Sequence, residues 1–442
     1  MQEIQTNSLY IRRSRETNKK YYLSVFLAVV LITFAISGYT AKSANYILLS
    51  ILFLWYISAF LSAPSNFIKI FRNKISLAFM GFIIFYFIIC LISSGVTNTI
   101  KYVGHSLILF SPFIIYLYYS KLKDKKLLKF ILTVTIVFWV IFAIRALMFY
   151  QQNESAARIL ASDRNAFDSI AIGGGYGLAY GSAFLCIYLL DCFINKRFRR
   201  PKYKLYAVIA IALLFATVIE TKSTVTLLGM IFGIALCVTF HLLKKGSNKR
   251  ITLKSIVWFL LMCIMFIVLI INTESIGTYI MRQTDDKRDT FSIRLYEVGA
   301  TLANNNINNG ESADFNIRME LIKKSATTFL ENPIIGVGYK YGYISEYSAV
   351  NGVGNHSEWT DSLAKYGLIG GIPYLLIFAF IIKNERRNNI QAISSAFIFV
   401  VVFLGFFNPF LTAQSNIALF FIIPATTYLS KVSLAKENMT PC

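Results

Sequence analysis

Apolar runs long enough to cross a bilayer recur along the whole chain, and no other feature constrains the fold as strongly. A hydrocarbon core about 30 Å thick takes roughly 20 apolar residues in a helix. Lipid offers nothing to an unpaired backbone group, so each run has to be helical. Runs over 22–38, 45–62, 76–93, 103–119, 130–150, 171–193, 205–220, 223–242, 255–272, 367–383, 391–406 and 414–430 are expected to be spans. The fold class expected is all-α, a polytopic membrane protein of about 12 transmembrane helices. The first run has no small-residue cleavage site followed by a soluble domain, so it reads as a span and not as a cleaved signal.

The charge supports this reading once it is divided by side. With 44 Lys+Arg against 22 Asp+Glu the formal charge is +22, which in a soluble chain would suggest a nucleic-acid binder. A chain 56% hydrophobic and only 15% charged does not fit that class, and 38 Phe and 26 Tyr exclude intrinsic disorder. Basic clusters instead fall at every second connection. They are Arg12/Arg13/Arg15, Lys69/Arg72/Lys74, Lys121 to Lys129, Lys196 to Lys204, Lys244 to Lys254, Lys383/Arg386/Arg387 and Lys431/Lys436. That side is cytoplasmic by the positive-inside rule, with both termini in it, and the other side is near neutral. No nucleic-acid partner is expected.

The resulting layout is a cytoplasmic tail (1–21), helices one to nine (22–272), a long outside segment (273–366), helices ten to twelve (367–430) and a second cytoplasmic tail (431–442). Six cysteines fall in spans or at the C-terminal tip, so they imply no outside disulfide framework. His105, His241 and His356 sit on different elements and show no metal-ligand spacing; no metal and no cofactor is expected. Gly173-Gly174-Gly175 and Gly177 follow no strand, so close helix packing is the reading, not a phosphate loop.

A long connection between spans usually carries function, and 273–366 is polar without being repetitive. After the flexible run Asn304–Gly310, Met319, Ile322, Ala326, Phe329 and Leu330 recur at helical spacing. Asp314 is the candidate N-cap and Asn332-Pro333 the stop. Gly336-Val337-Gly338 then reads as a flexible turn. A second helix starts near Ser357, with Asp361 and Lys365 four apart, and runs toward span ten.

Such a helix can simply lie on the membrane surface, but its arginine gives it chemistry. Arg318 presents the fork of donors that matches phosphate oxygens. Arg158 and Arg164 occupy the other sizeable outside connection, Arg294 opens the long one, and Lys222 stands in the short turn Glu220–Ser223. Each arginine alone reads more readily as a solvated or headgroup-facing cation, and Lys222 equally as a snorkelling lysine; together they suit a lipid-linked phosphate. His356 can take a proton from a hydroxyl near neutral pH, although a lone loop histidine is commonly just solvated. Glu358 and Asp361, three apart, can orient it or bind sugar hydroxyls.

The ordered set Arg318, Asn332-Pro333-Ile334-Ile335-Gly336-Val337-Gly338, His356-Ser357 and Gly367-Leu368-Ile369-Gly370 resembles the O-antigen polymerase/ligase superfamily. The resemblance has recognisable motifs over about 150–385 and rests on topology elsewhere. It implies a bacterial inner-membrane glycosyltransferase with both termini cytoplasmic and the long loop, between helices 9 and 10, periplasmic. The donor implied is an undecaprenyl-diphosphate-linked oligosaccharide and the acceptor a second glycolipid. A flippase and a chain-length regulator are implied as neighbours in the same membrane. Residue by residue, it assigns catalysis to His356 and Arg318, assisted by Glu358 and Asp361. Diphosphate binding falls to Arg318, Lys222, Arg164, Arg158 and Arg294. The ligase branch usually has arginine where this chain has Lys222. The pattern Ile293-Arg294-Leu295-Tyr296-Glu297 followed by Arg318 and His356 looks more like repeat-unit polymerases. Polymerase is therefore the expectation, with ligation to lipid A-core as the alternative. A lipid-linked sugar flippase would need charged residues inside the spans, which are scarce here.

Overall fold

The structure, a computed structural model, describes residues 21–37, 42–122, 125–153, 176–194, 201–221, 223–244, 278–279, 281–283, 296, 313–338, 353–386 and 391–437. Among them there are helices and no strand. In chain order they are α1 (Tyr21–Ser37), α2 (Lys42–Ser62), α3 (Pro64–Phe71), α4 (Lys74–Lys121), α5 (Lys125–Gln152), α6 (Gly177–Ile194), α7 (Pro201–Glu220) and α8 (Thr224–Lys244). Then come α9 (Ala313–Glu331), α10 (Glu358–Arg386), α11 (Gln391–Phe407), α12 (Ala413–Ile417), a π-helical turn (Ala418–Ile422) and α13 (Ile423–Glu437). Among the described residues six helical segments are long and apolar enough to cross a membrane, α4 counting as two on either side of Gly95, or up to seven if the bent pair α2–α3 is one span. The expected span at 255–272 lies outside the described residues, so the count of twelve still rests on the sequence.

Two connections differ from the sequence expectation. The basic stretch after residue 62 is helical rather than an open loop. Pro64 drives Ala63 out of the α region (φ −152°, ψ 75°) and starts α3 at 118° to the preceding helix. The runs 76–93 and 103–119 are likewise not separated by a loop. Helix continues through α4, broken only at Gly95 (φ 75°, ψ 174°), a conformation that glycine adopts without steric cost. Asn73 caps the start of α4, its side chain accepting from the Ile75 N–H at 3.1 Å.

The core is aromatic where α4, α10 and the π-helical turn meet. Phe82, Tyr86, Tyr366 and Tyr374 form one group of ring contacts, and Phe110, Phe378 and Phe420 extend it toward α13. Buried amides tie the helices together. Gln414 Nε2 donates to the Ile36 carbonyl at 3.3 Å and Asn416 Nδ2 to the Leu109 carbonyl at 3.0 Å. Such bonds join helices that lipid gives no hydrophobic reason to associate. Gly177 packs against this corner as the sequence suggested: a Cβ there would lie 2.5 Å from Gln414 Oε1. Gly173 to Gly175 lie outside the described residues.

Candidate functional site

The two predicted helices of the long segment are present as α9 and the first turns of α10, and they pack against each other. Asn332-Pro333 ends α9 as expected, since proline supplies no N–H and disfavours helix before it. The following turn, however, is held rather than flexible. Leu368 N–H donates to the Pro333 carbonyl at 2.8 Å and Ile369 N–H to that of Ile334 at 3.1 Å. In return Val337 N–H donates to the Ala364 carbonyl at 2.9 Å and Gly338 N–H to that of Lys365 at 3.0 Å. This pairing is possible because α10 breaks at Gly367 (φ 57°, ψ −160°), freeing its N–H and carbonyl groups for the turn. Gly336 (φ 75°) faces the break, and a Cβ on either glycine would come within 2.6 Å of the other's backbone nitrogen.

The segment that carries His356 crosses α9 and is fixed by Asp361. The Ser325 hydroxyl donates to Asp361 Oδ1 at 2.5 Å, and the Ser357 N–H donates to Oδ2 at 2.9 Å. Ser325 Oγ also accepts from the Gly354 N–H at 2.8 Å. Asp361 is 3% exposed, so both of its oxygens are committed inside the protein. Ser357 caps α10, its Oγ accepting from the Thr360 N–H at 3.3 Å and donating to the Gly405 carbonyl of α11 at 3.1 Å. Gly354 lies so close to α9 that a Cβ would meet the Leu321 carbonyl oxygen at 2.3 Å. Between these anchors Asn355 takes a left-handed conformation (φ 55°), and His356 follows it, half-buried.

Glu358 points elsewhere. Its Oε1 accepts from the Tyr374 hydroxyl and from the Ser362 hydroxyl, the latter at 3.4 Å, and Oε2 accepts from the Leu411 N–H at 3.3 Å. The two carboxylates that share a helix face in the sequence thus serve different joints. Asp361 ties α10 to α9 and the His356 segment, whereas Glu358 ties α10 to the stretch before α12.

The cations are placed through the backbone. Position 318 lies on α9 seven residues before Ser325, two turns away on the same face, and one turn before the point where Gly354 crosses; the Arg318 side chain is outside the described residues. Lys222, Arg158, Arg164 and Arg294 are outside them as well. The turn that carries Lys222 is nonetheless anchored on both sides, with Thr221 buried and Ser223 Oγ 2.7 Å from Thr226 Oγ1. It stands at the same end of the bundle as His356. Gly229 of α8 packs on Phe403 of α11 and Gly233 on Val400, so α8 starts beside the end of α11 where Ser357 docks.

Sequence reasoning placed Ser357 at the start of α10 but missed Ser325 and Tyr374. A serine on the packed face of an amphipathic helix and a tyrosine inside a span were the available signals. Among the described residues no group of three or more His, Cys, Asp or Glu could hold a metal ion.

A family model described as O-antigen ligase matches residues 209–375. That stretch contains Lys222, Arg294, Arg318, His356, Glu358 and Asp361 and leaves out Arg158 and Arg164. No curated protein matches the chain.

Proposed function

We propose, from the premise that the chain carries an O-antigen ligase family domain of the O-antigen polymerase/ligase superfamily, that it polymerises lipid-linked oligosaccharide repeat units. The observation that carries this reading is the fixed crossing of the His356 segment over the helix that bears position 318. An imidazole and a guanidinium on two pinned elements, at the end of the bundle where α7 turns into α8, suit transfer from a diphosphate-linked donor. The acceptor hydroxyl attacks the anomeric carbon, its proton passes to His356, and the new glycosidic bond forms. The old anomeric C–O bond breaks, and undecaprenyl diphosphate departs with the electron pair. Arg318 and Lys222 stabilise the charge on that leaving group, in the manner of preorganised donors aimed at developing negative charge; Arg164, Arg158 and Arg294 extend the same role. Asp361 and Glu358 act as positioning residues that keep the His356 segment and α10 in place. On this reading the site faces the periplasm and the chain sits in the inner membrane.

Lys222 in place of arginine, and the Ile293–Glu297 pattern ahead of Arg318, support polymerase over ligase. The family model's own description favours ligation to lipid A-core as the second reading. Purified full-length protein in liposomes, given undecaprenyl-diphosphate oligosaccharide alone, separates the two. Polymerase predicts a ladder of lengthening products, lost in His356→Ala with protein level unchanged. No product until lipid A-core is added would mean ligase, and a ladder undiminished in His356→Ala would remove the base from the mechanism.

A further inference from the structure

We infer that the turn between α9 and the Gly367 break is a membrane-interface wedge, whose side chains insert into the acyl chains of the lipid leaflet at that end of α10. Leu330, Ile334 and Ile335 are 74%, 61% and 48% exposed. Three large aliphatic side chains exposed at the end of α9 and on the turn after it would be costly in water, and exposed apolar surface of that kind marks a contact.

Continuity identifies the contact. The backbone of Pro333 and Ile334 is bonded directly to Leu368 and Ile369. Those residues open a row of exposed side chains, with Ile372, Leu375 and Leu376, along the part of α10 that follows the Gly367 break. At helical spacing this row is one face, and on a span an exposed apolar face meets lipid. The turn carries the same surface past the break. Beside it, at the Gly95 break of α4, Ile92 and Val96 are exposed too, and Gly338 lies against Ile89 and Ser93 there.

The sides of α9 agree with this placement. Met319 and Leu330, three turns apart, share its outer apolar edge, while Glu320, Lys323 and Glu331 occupy the adjoining edge and are exposed. A helix with one apolar and one charged edge lies in the plane of the interface, its apolar edge buried about 5–10 Å into the headgroup/acyl boundary. Seated so, α9 holds position 318 and the His356 segment at headgroup height. The wedge is independent of the reaction: it stands or falls whatever the acceptor is.

The test uses the full-length protein in liposomes. Ile334→Trp and Ile335→Trp are each read as difference spectra against the wild-type chain, which has four tryptophans of its own. Phosphatidylcholines brominated at graded depths serve as quenchers, and aqueous iodide reports water. The expected result is blue-shifted emission quenched most by the shallowest brominated position and little by iodide, with Glu320→Trp giving the reverse. Red-shifted emission quenched by iodide at both positions would overturn the wedge. Blue-shifted emission that no brominated lipid touches would overturn it as well, because another part of a protein would then cover the patch. Both substitutions fall on exposed positions, so agreement between them guards against a local misfold.

Discussion

Replacing Asp361 by asparagine is the sharpest perturbation of the proposed site, because it separates holding the His356 segment from touching substrate. The carboxylate accepts from the Ser325 hydroxyl and the Ser357 N–H, and it is 3% exposed. Hydrogen bonds to a charged partner contribute about 1.5–3 kcal/mol each, and an unmet buried donor costs about 1–3 kcal/mol. An amide keeps one acceptor and turns an N–H toward the other donor. Asp361→Asn should then lose about 2–4 kcal/mol of local stability, a roughly 30- to 700-fold rise in opening of the segment over α9. Hydrogen exchange read by mass spectrometry on peptides covering 353–361 measures this directly, since the Gly354 and Ser357 amides are the ones released. Ser325→Ala should open the same peptides, and the double variant should cost less than the two single changes summed, because both remove one shared network. Chain growth should fall in step with exchange. Unchanged protection at 353–361 beside a loss of product would refute the positioning role and move Asp361 to the substrate.

Three glycine substitutions give further outcomes. Gly367→Ala places a Cβ 2.5 Å from the Ile334 carbonyl and forces φ 57°, ψ −160° on a residue that disfavours it, which costs about 1–3 kcal/mol before the clash. The four bonds to the 333–338 turn should fail, seen as rapid exchange at Leu368 and Ile369 with the rest of α10 still protected. Gly181→Ala meets the Trp139 ring at 2.4 Å and should lower the melting temperature in detergent, by about 1–3 kcal/mol of overpacking. Gly81→Ala meets nothing within 4 Å and should be neutral or stabilising by about 0.5–1 kcal/mol. Equal melting temperatures for these two variants would refute the packing argument.

Much of the candidate site was legible in the sequence, for different reasons at different residues. Helix α9 and its stop at Asn332-Pro333 follow from local chemistry, periodicity and proline, and both appear, although Asp314, expected as the N-cap, lies inside the helix, which starts at Ala313. The glycines of 336–338 were visible too, but as a flexible turn, and Gly367 only as the start of a span and part of a motif. Their close contact is a long-range fact that spacing cannot carry, and it turns flexibility into four backbone bonds. Glu358 and Asp361 were placed on one helix face correctly, yet periodicity says nothing about what stands opposite. That Asp361 meets Ser325 and Glu358 meets Tyr374 and Leu411 depends on the path of the chain between them.

The sequence by itself determined that this chain is helical and rich in apolar runs long enough to cross a membrane, and that its basic clusters fall at every second connection between them. Those properties come from composition and period summed over many residues, so no fold is needed to read them. Only the tertiary structure decided that the His356 segment is clamped to α9 and that an exposed apolar turn is bonded to the backbone of α10 at its Gly367 break. Both arise from single hydrogen bonds and exposures between residues far apart in sequence, and burial and partners exist only once the chain has folded.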